Sequence, residues 1–114
     1  MSPASALPAA QVRDAAPLFA ALGDETRLAL LARLSSAGPG SIAQLSAKAQ
    51  VSRQAIKKHL DVLSAAGLVR SERQGRESIW ALQPARLSDA HAYLERISAQ
   101  WDEALERLKQ LVET

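Results

Sequence analysis

Apolar residues recur every three or four positions in five stretches of this chain and alternate in one, and that pattern predicts the elements in order. Val12 to Leu22 reads as a short helix with Leu18, Phe19 and Leu22 on one face, and Pro17 is expected to limit or bend its first turn. Gly23 ends it. Asp24 then caps a second helix from Glu25, whose buried side is Leu28, Leu31, Ala32 and Leu34; an acidic residue in the first turn suits the helix dipole. Ser35 to Gly40 is a glycine- and proline-containing loop. Ser41 and Gln44 form a capping-box pattern ahead of a third helix with Ile42, Leu45 and Ala49 as its stripe. Gln50-Val51 breaks the period, and Ser52 can cap a fourth helix with Ile56, Leu60 and Leu63 inward. Gly67 follows where a left-handed C-terminal residue suits glycine.

After Gly67 the period changes from helical to alternating. Leu68–Arg73 and Arg76–Leu82 read as two strands joined by a turn at Gln74-Gly75. Val69 and Ser71 share one face, while Ile79 and Ala81 alternate with Trp80 and Leu82. Pro84 suits the first turn of a final helix, expected over about Ala85 to Val112. Its apolar positions are Leu87, Ala90, Leu94, Ile97, Trp101, Leu105, Leu108 and Val112. At 1.5 Å per residue such a helix is roughly 42 Å long, more than one small domain can cover. Part of its stripe is therefore expected to meet a second subunit, together with Leu18 and Phe19 of the first helix. The expected dimer interface is Leu18, Phe19, Leu94, Ile97, Trp101, Leu105 and Leu108.

The fourth helix also carries the candidate chemistry. Opposite its core face stand Arg53, Gln54, Lys57, Lys58 and His59. A helix–turn–helix presents its second helix to the DNA major groove in this way. The hairpin beyond it, with Arg73 and Arg76 bracketing the turn, has the position of a wing; backbone contact by such a tip specifies no sequence by itself. The expected fold is mostly α with a small β-hairpin wing: a winged helix–turn–helix dimerising through its N- and C-terminal helices. Residues 1–11 are expected to form a disordered tail, and residues 12–114 the DNA-binding and dimerisation domain.

Charge placement supports that reading more than total charge does. The 114-residue chain carries only +2. Yet Lys48 to Arg76 holds seven basic residues against Asp61 and Glu72, so the remainder is net negative. Cations gathered on one segment are what phosphate contact requires, because each neutralised phosphate releases counterions. There is no cysteine, which removes disulfides, thiolate-bound metals and thiol redox sensing from consideration. No apolar run has the length of a membrane span and the first ten residues lack a signal-peptide pattern, so a cytoplasmic protein is expected.

Several motifs together resemble the ArsR family of bacterial repressors. They are Leu18-Phe19 with Leu22-Gly23-Asp24 and Thr26-Arg27-Leu28, then Ile42-Ala43-Gln44-Leu45, the run from Val51 to Leu63, Ala66-Gly67-Leu68-Val69 and Gly75-Arg76. The resemblance spans roughly residues 15–112 and keeps the motifs in order. It implies a dimeric winged-helix repressor, released from a palindromic operator by an effector or a competing process. It also implies that Ser52, Arg53, Gln54, Lys57, Lys58 and His59 lie on the DNA face. Arg53, Gln54 and Lys57 are then base-edge candidates, and Ser52, Lys58 and His59 phosphate contacts. His59 has a second reading, as a packing residue between helices.

Metal sensors of that family use cysteines, absent here, or a site on the last helix. Asp89-Ala90-His91 begins such a site, but Asp102 and Leu105 occupy the positions of its downstream ligands. One histidine among carboxylates is a poor zinc set. The downstream Trp101 and Leu108 instead resemble the family's non-metal branch. No metal and no cofactor is therefore expected, and a small-molecule or protein effector is left open. The alternatives are a metal-responsive repressor using the degenerate last-helix site, and a winged helix devoted to protein contacts. Catalysis has no support, since His59 and His91 sit on different elements and there is no glycine-rich phosphate loop.

Overall fold

The computed structural model describes residues 8–47 and 49–113. The tail expected over residues 1–11 lies outside them up to residue 7, as does Lys48 of the basic window. Residues 9–11 are instead the first turn of helix α1, Ala9–Leu22, so that helix starts earlier than its apolar period does. It runs through Pro17, whose neighbours Ala15 and Leu18 are buried. Proline lacks the N–H that Arg13 would otherwise receive four residues back, and tertiary packing of this face holds the helix across that gap.

α2, Glu25–Ala37, begins as its cap predicts, with the Asp24 carboxylate accepting from the Arg27 N–H at 3.0 Å. α3, Ile42–Ser46, shows the full capping box. The Gln44 N–H donates to Ser41 Oγ at 3.2 Å, and the Ser41 N–H donates to Gln44 Oε1 at 2.9 Å. In α4, Arg53–Ala65, Ser52 Oγ accepts from the Ala55 N–H at 3.1 Å. Ile56, Leu60 and Leu63 are completely buried. α4 ends in a Schellman motif. The Leu68 N–H bonds the Leu63 carbonyl at 2.9 Å, the Gly67 N–H bonds that of Ser64 at 2.9 Å, and Gly67 takes φ +78°. Leu63 and Leu68, the apolar pair that accompanies this motif, are both fully buried.

The sheet has three antiparallel strands in the order β1–β3–β2. β1 is Gly40–Ser41, β2 Val69–Gln74 and β3 Glu77–Leu82. β1 was expected as loop. Two residues carry no periodicity, and only pairing of Gly40 with Trp80 and Ser41 with Ile79 makes them a strand. The hairpin loop is Gly75-Arg76, one residue beyond the expected Gln74-Gly75, because Gly75 takes the first loop position with φ +64°. Glycine with positive φ at that position is the type II′ pattern. The change moves each cross-strand partner by two, so every side chain keeps its expected face. Val69 opposes Leu82 and Ser71 opposes Trp80.

One core joins α1, α2, α3, α4, the sheet and the start of the last helix, with Leu18, Leu30, Leu34, Leu45, Val69 and Trp80 around the α4 residues. Trp80 is buried and its Nε1–H finds no acceptor among the described residues, so apolar contact carries its burial. α5, Pro84–Glu113, is a single 30-residue helix with only Ala90 buried. Its first half lies along α1. Arg86 bonds the Asp14 carboxylate at 3.1 Å, and Phe19 meets Tyr93 with ring centroids 5.5 Å apart. From Trp101 to Glu113 every residue is exposed, and the molecule is 65 Å long as a result.

Candidate nucleic-acid interface

Helical geometry alone separates the two faces of α4. With Ile56, Leu60 and Leu63 committed to the core, Arg53, Gln54, Lys57, Lys58 and Asp61 must project outward, and all five are exposed. Ser52, the cap, precedes them. Arg53, Gln54, Lys57 and Lys58 line an open groove of about 560 Å³ with Ile42. A second concavity, of about 260 Å³, joins Arg53 to Arg73 and Arg76, with Ser41, Ile42, Ala43, Glu77 and Ser78 completing its wall. Thus the fold brings the N-terminus of α4 and the wing tip around one basic hollow, although twenty residues of chain separate them. Three guanidiniums against one carboxylate attract an anion, and planar guanidinium suits phosphate. Glu77, Ser78 and Ser41 were absent from the expected site. Only the register Arg73↔Ser78 and the β1 pairing put them there.

Two members of the expected set are already engaged. Lys57 Nζ bonds both carboxylate oxygens of Asp61, at 2.7 and 2.8 Å, and stands 5.9 Å from the centroid of the Trp80 ring. His59 projects about 100° around the helix from Lys58, toward α2, and its side chain is only 23% exposed. Its Nδ1 lies 3.2 Å from Arg27 Nη1 and 3.8 Å from Asp24 Oδ2. Arginine can only donate, so in this contact Nδ1 is the acceptor. Of its two readings, this placement is the one between helices. Arg27 also donates to the carbonyls of Ala20 and Ala21 at the end of α1. It thereby ties α1, α2 and α4 together, a role no spacing in the chain announces. The Arg27 N–H bond is the main reason that the Asp24 carboxyl sits below the ordinary carboxylate range.

The chain matches a helix-turn-helix domain family over residues 22–72. It is 35% identical over 94 residues to the HTH-type transcriptional regulator Rv2034 of Mycobacterium tuberculosis, covering 82% of this chain and 84% of that protein. The ArsR-like transcriptional regulator from Rhodococcus sp. RHA1 superposes with a TM-score of 0.74 at 42% identity, covering 90% of this chain and 95% of that one. This chain belongs to the ArsR family of winged helix–turn–helix transcriptional regulators. The fold agrees also with the homodimeric winged helix-turn-helix DNA-binding domain Mb0332 of Mycobacterium bovis, at a TM-score of 0.64 and 20% identity over 81% of this chain and 84% of that one.

The family match through residue 72 includes all of α2 to α4 but stops short of the wing tip, so Arg73 and Arg76 stand on the hairpin geometry. Of the expected interface residues, Leu18 is corrected: at 1% exposure it belongs to its own chain's core and offers a partner no surface. Leu94, Trp101, Leu105 and Leu108 are 50–65% exposed. Phe19 and Ile97 line an apolar groove of about 280 Å³ between α1 and α5 with Val12, Tyr93 and Leu94. Asp89 is bonded by Arg86 at 3.0 Å, and His91 Nε2 lies 3.6 Å from Glu95. Among the described residues no group of three or more His, Asp or Glu side chains could hold a metal ion. No described helix is long and apolar enough to cross a membrane.

Proposed function

We propose that this protein is a sequence-specific, double-stranded-DNA-binding repressor that acts as a homodimer on a palindromic operator. The observation that carries the reading is the shared hollow of Arg53, Arg73 and Arg76 beside an outward stripe of Gln54, Lys57 and Lys58. α4 enters the major groove, where Arg53 and Gln54 have the donor geometry to read purine edges. Lys58, the Ser52 hydroxyl and the wing arginines meet phosphates and set the register. His59 acts from behind, holding α4 against α2.

Dimerisation supplies the second half-site. The exposed stripe Leu94, Trp101, Leu105 and Leu108 is a contiguous apolar face that soluble monomers seldom leave open. A second copy related by a two-fold axis covers it and places the two α4 helices about 34 Å apart. Rv2034, a transcriptional regulator by name, and the homodimeric Mb0332 domain support the assignment. The protein acts in the cytoplasm and performs no catalysis. Its effector is not a thiolate-bound metal, since the chain has no cysteine.

The test is fluorescence anisotropy of the purified protein with duplex DNA from upstream of its own gene, across salt and with zinc or a chelator. Tight, sequence-dependent binding that falls steeply with salt and ignores zinc is expected. Salt-independent or absent binding overturns the reading, and release by zinc would restore Asp89 and His91 as ligands.

A further inference from the structure

The stripe that faces DNA contains a carboxylate, Asp61, and its position calls for a reason. A negative charge turned toward a polyanion weakens every complex the protein makes, specific or not. Asp61 does not stand alone, because both its oxygens hold Lys57 Nζ at 2.7 and 2.8 Å. The ammonium also stands 5.9 Å from the centroid of the Trp80 ring, which is itself buried in the sheet. A free lysine carries large rotamer entropy and serves as a mobile point charge. Here both partners are about half exposed, and close pairing makes the two side chains neutral as a unit.

A cancelled charge releases no counterion, so Lys57 is a weak phosphate clamp in this arrangement. What the pair retains is directional hydrogen bonding. Two of the three ammonium donors go to Asp61 and one is left, and the carboxylate has acceptor capacity beyond the bonds it makes. A guanine offers O6 and N7 acceptors in the major groove, while its cytosine partner offers the N4 amino donor. We propose that Lys57 and Asp61 together form one neutral donor–acceptor reader of a guanine–cytosine pair. Asp61 is thereby a specificity-determining residue that also lowers affinity for arbitrary DNA. The inference rests on the DNA-binding reading above.

The test uses the full chain and Asp61→Asn, an exposed substitution that leaves the core untouched, with Asp61→Asn/Lys57→Met as the second variant. Binding sites are selected from a random-sequence duplex library, and affinities for the selected and a scrambled duplex are measured between 50 and 200 mM salt. Asp61→Asn frees the Lys57 charge, so it should bind scrambled DNA more tightly. Its salt slope should steepen by about 0.9, a roughly threefold extra loss over that salt range. The ratio of selected to scrambled affinity should fall roughly tenfold, with preference lost at one guanine–cytosine position per half-site. The double variant leaves the site neutral, as the pair is in the unsubstituted protein, so it should lose the same preference without flattening the salt slope. If Asp61→Asn keeps the slope and the selected sequence, or the double variant flattens the slope by about one, the reader is overturned and Lys57 is a phosphate contact. If the unsubstituted protein selects no sequence, the DNA-binding reading fails and this inference with it.

Discussion

Gly67 joins the recognition helix to the wing, and replacing it with alanine tests two features of the structure at once. Its φ of +78° is left-handed, which costs a residue with a Cβ roughly 1–2 kcal/mol. The added Cβ would also lie 2.8 Å from Arg86 Cγ, well inside contact distance. Arg86 cannot swing aside freely, because its guanidinium holds Asp14 on α1 and Asp89 on α5 at 3.1 and 3.0 Å. Both carboxylates are more than half exposed, so each pair is worth roughly 0–1 kcal/mol. Gly67→Ala should therefore cost about 2–3 kcal/mol, a fall in Tm of roughly 8–12 °C for a domain of this size. Urea unfolding at fixed protomer concentration measures it, since the stability of the proposed dimer would depend on concentration. In an Arg86→Ala background the steric part vanishes, and the same change should cost only about 1–2 kcal/mol. Equal costs in the two backgrounds would refute the contact with Arg86. A cost below about 0.5 kcal/mol would refute the left-handed geometry itself.

Other outcomes follow from the interface. Arg53→Ala or Gln54→Ala should weaken operator binding by about 1–3 kcal/mol and relax its sequence preference, whereas Lys58→Ala should weaken all duplexes alike and reduce the salt slope by about one. Anisotropy on matched and scrambled duplexes separates the two, and a sequence-selective loss at Lys58 contradicts its assignment to phosphate. Trp101→Asp places a charge in the proposed apolar seam, and with Trp101 65% exposed in the single chain it should break the proposed dimer while sparing the fold. Sedimentation decides this; a dimeric variant removes α5 from the interface. Asp24 has its carboxyl below the ordinary 3.8, chiefly through the Arg27 N–H bond, so its capping contribution is present above that value and lost as pH falls beneath it. The stability difference between the parent and Asp24→Ala, clear at neutral pH, should therefore shrink in acid denaturation series below about pH 3.8, the ordinary value.

Local rules determined most of the elements. Ser41 with Gln44, Asp24, Ser52 and Gly67 act within one helical turn of themselves, so each cap stood where its residue type and spacing required. The outward stripe of α4 was legible for the same reason: a 3.6-residue period with Ile56, Leu60 and Leu63 inward leaves Arg53, Gln54, Lys57 and Lys58 outward. Whatever depended on distant segments was decided by the tertiary structure. β1 exists only because Gly40 and Ser41 meet β3, about forty residues away. Leu18 lies in the same stripe as Phe19, yet only the packing of α1 on the core shows that one is buried and the other turned toward the α1–α5 groove. His59 was spaced like its basic neighbours, and the approach of Arg27 and Asp24 gave it another partner. The basic hollow is likewise a product of the fold, since neither α4 nor the hairpin encloses it alone. Periodicity and capping are properties of adjacent residues, and the chain carries them openly. Which surfaces meet depends on the summed burial of the whole core, and no local stretch records that sum.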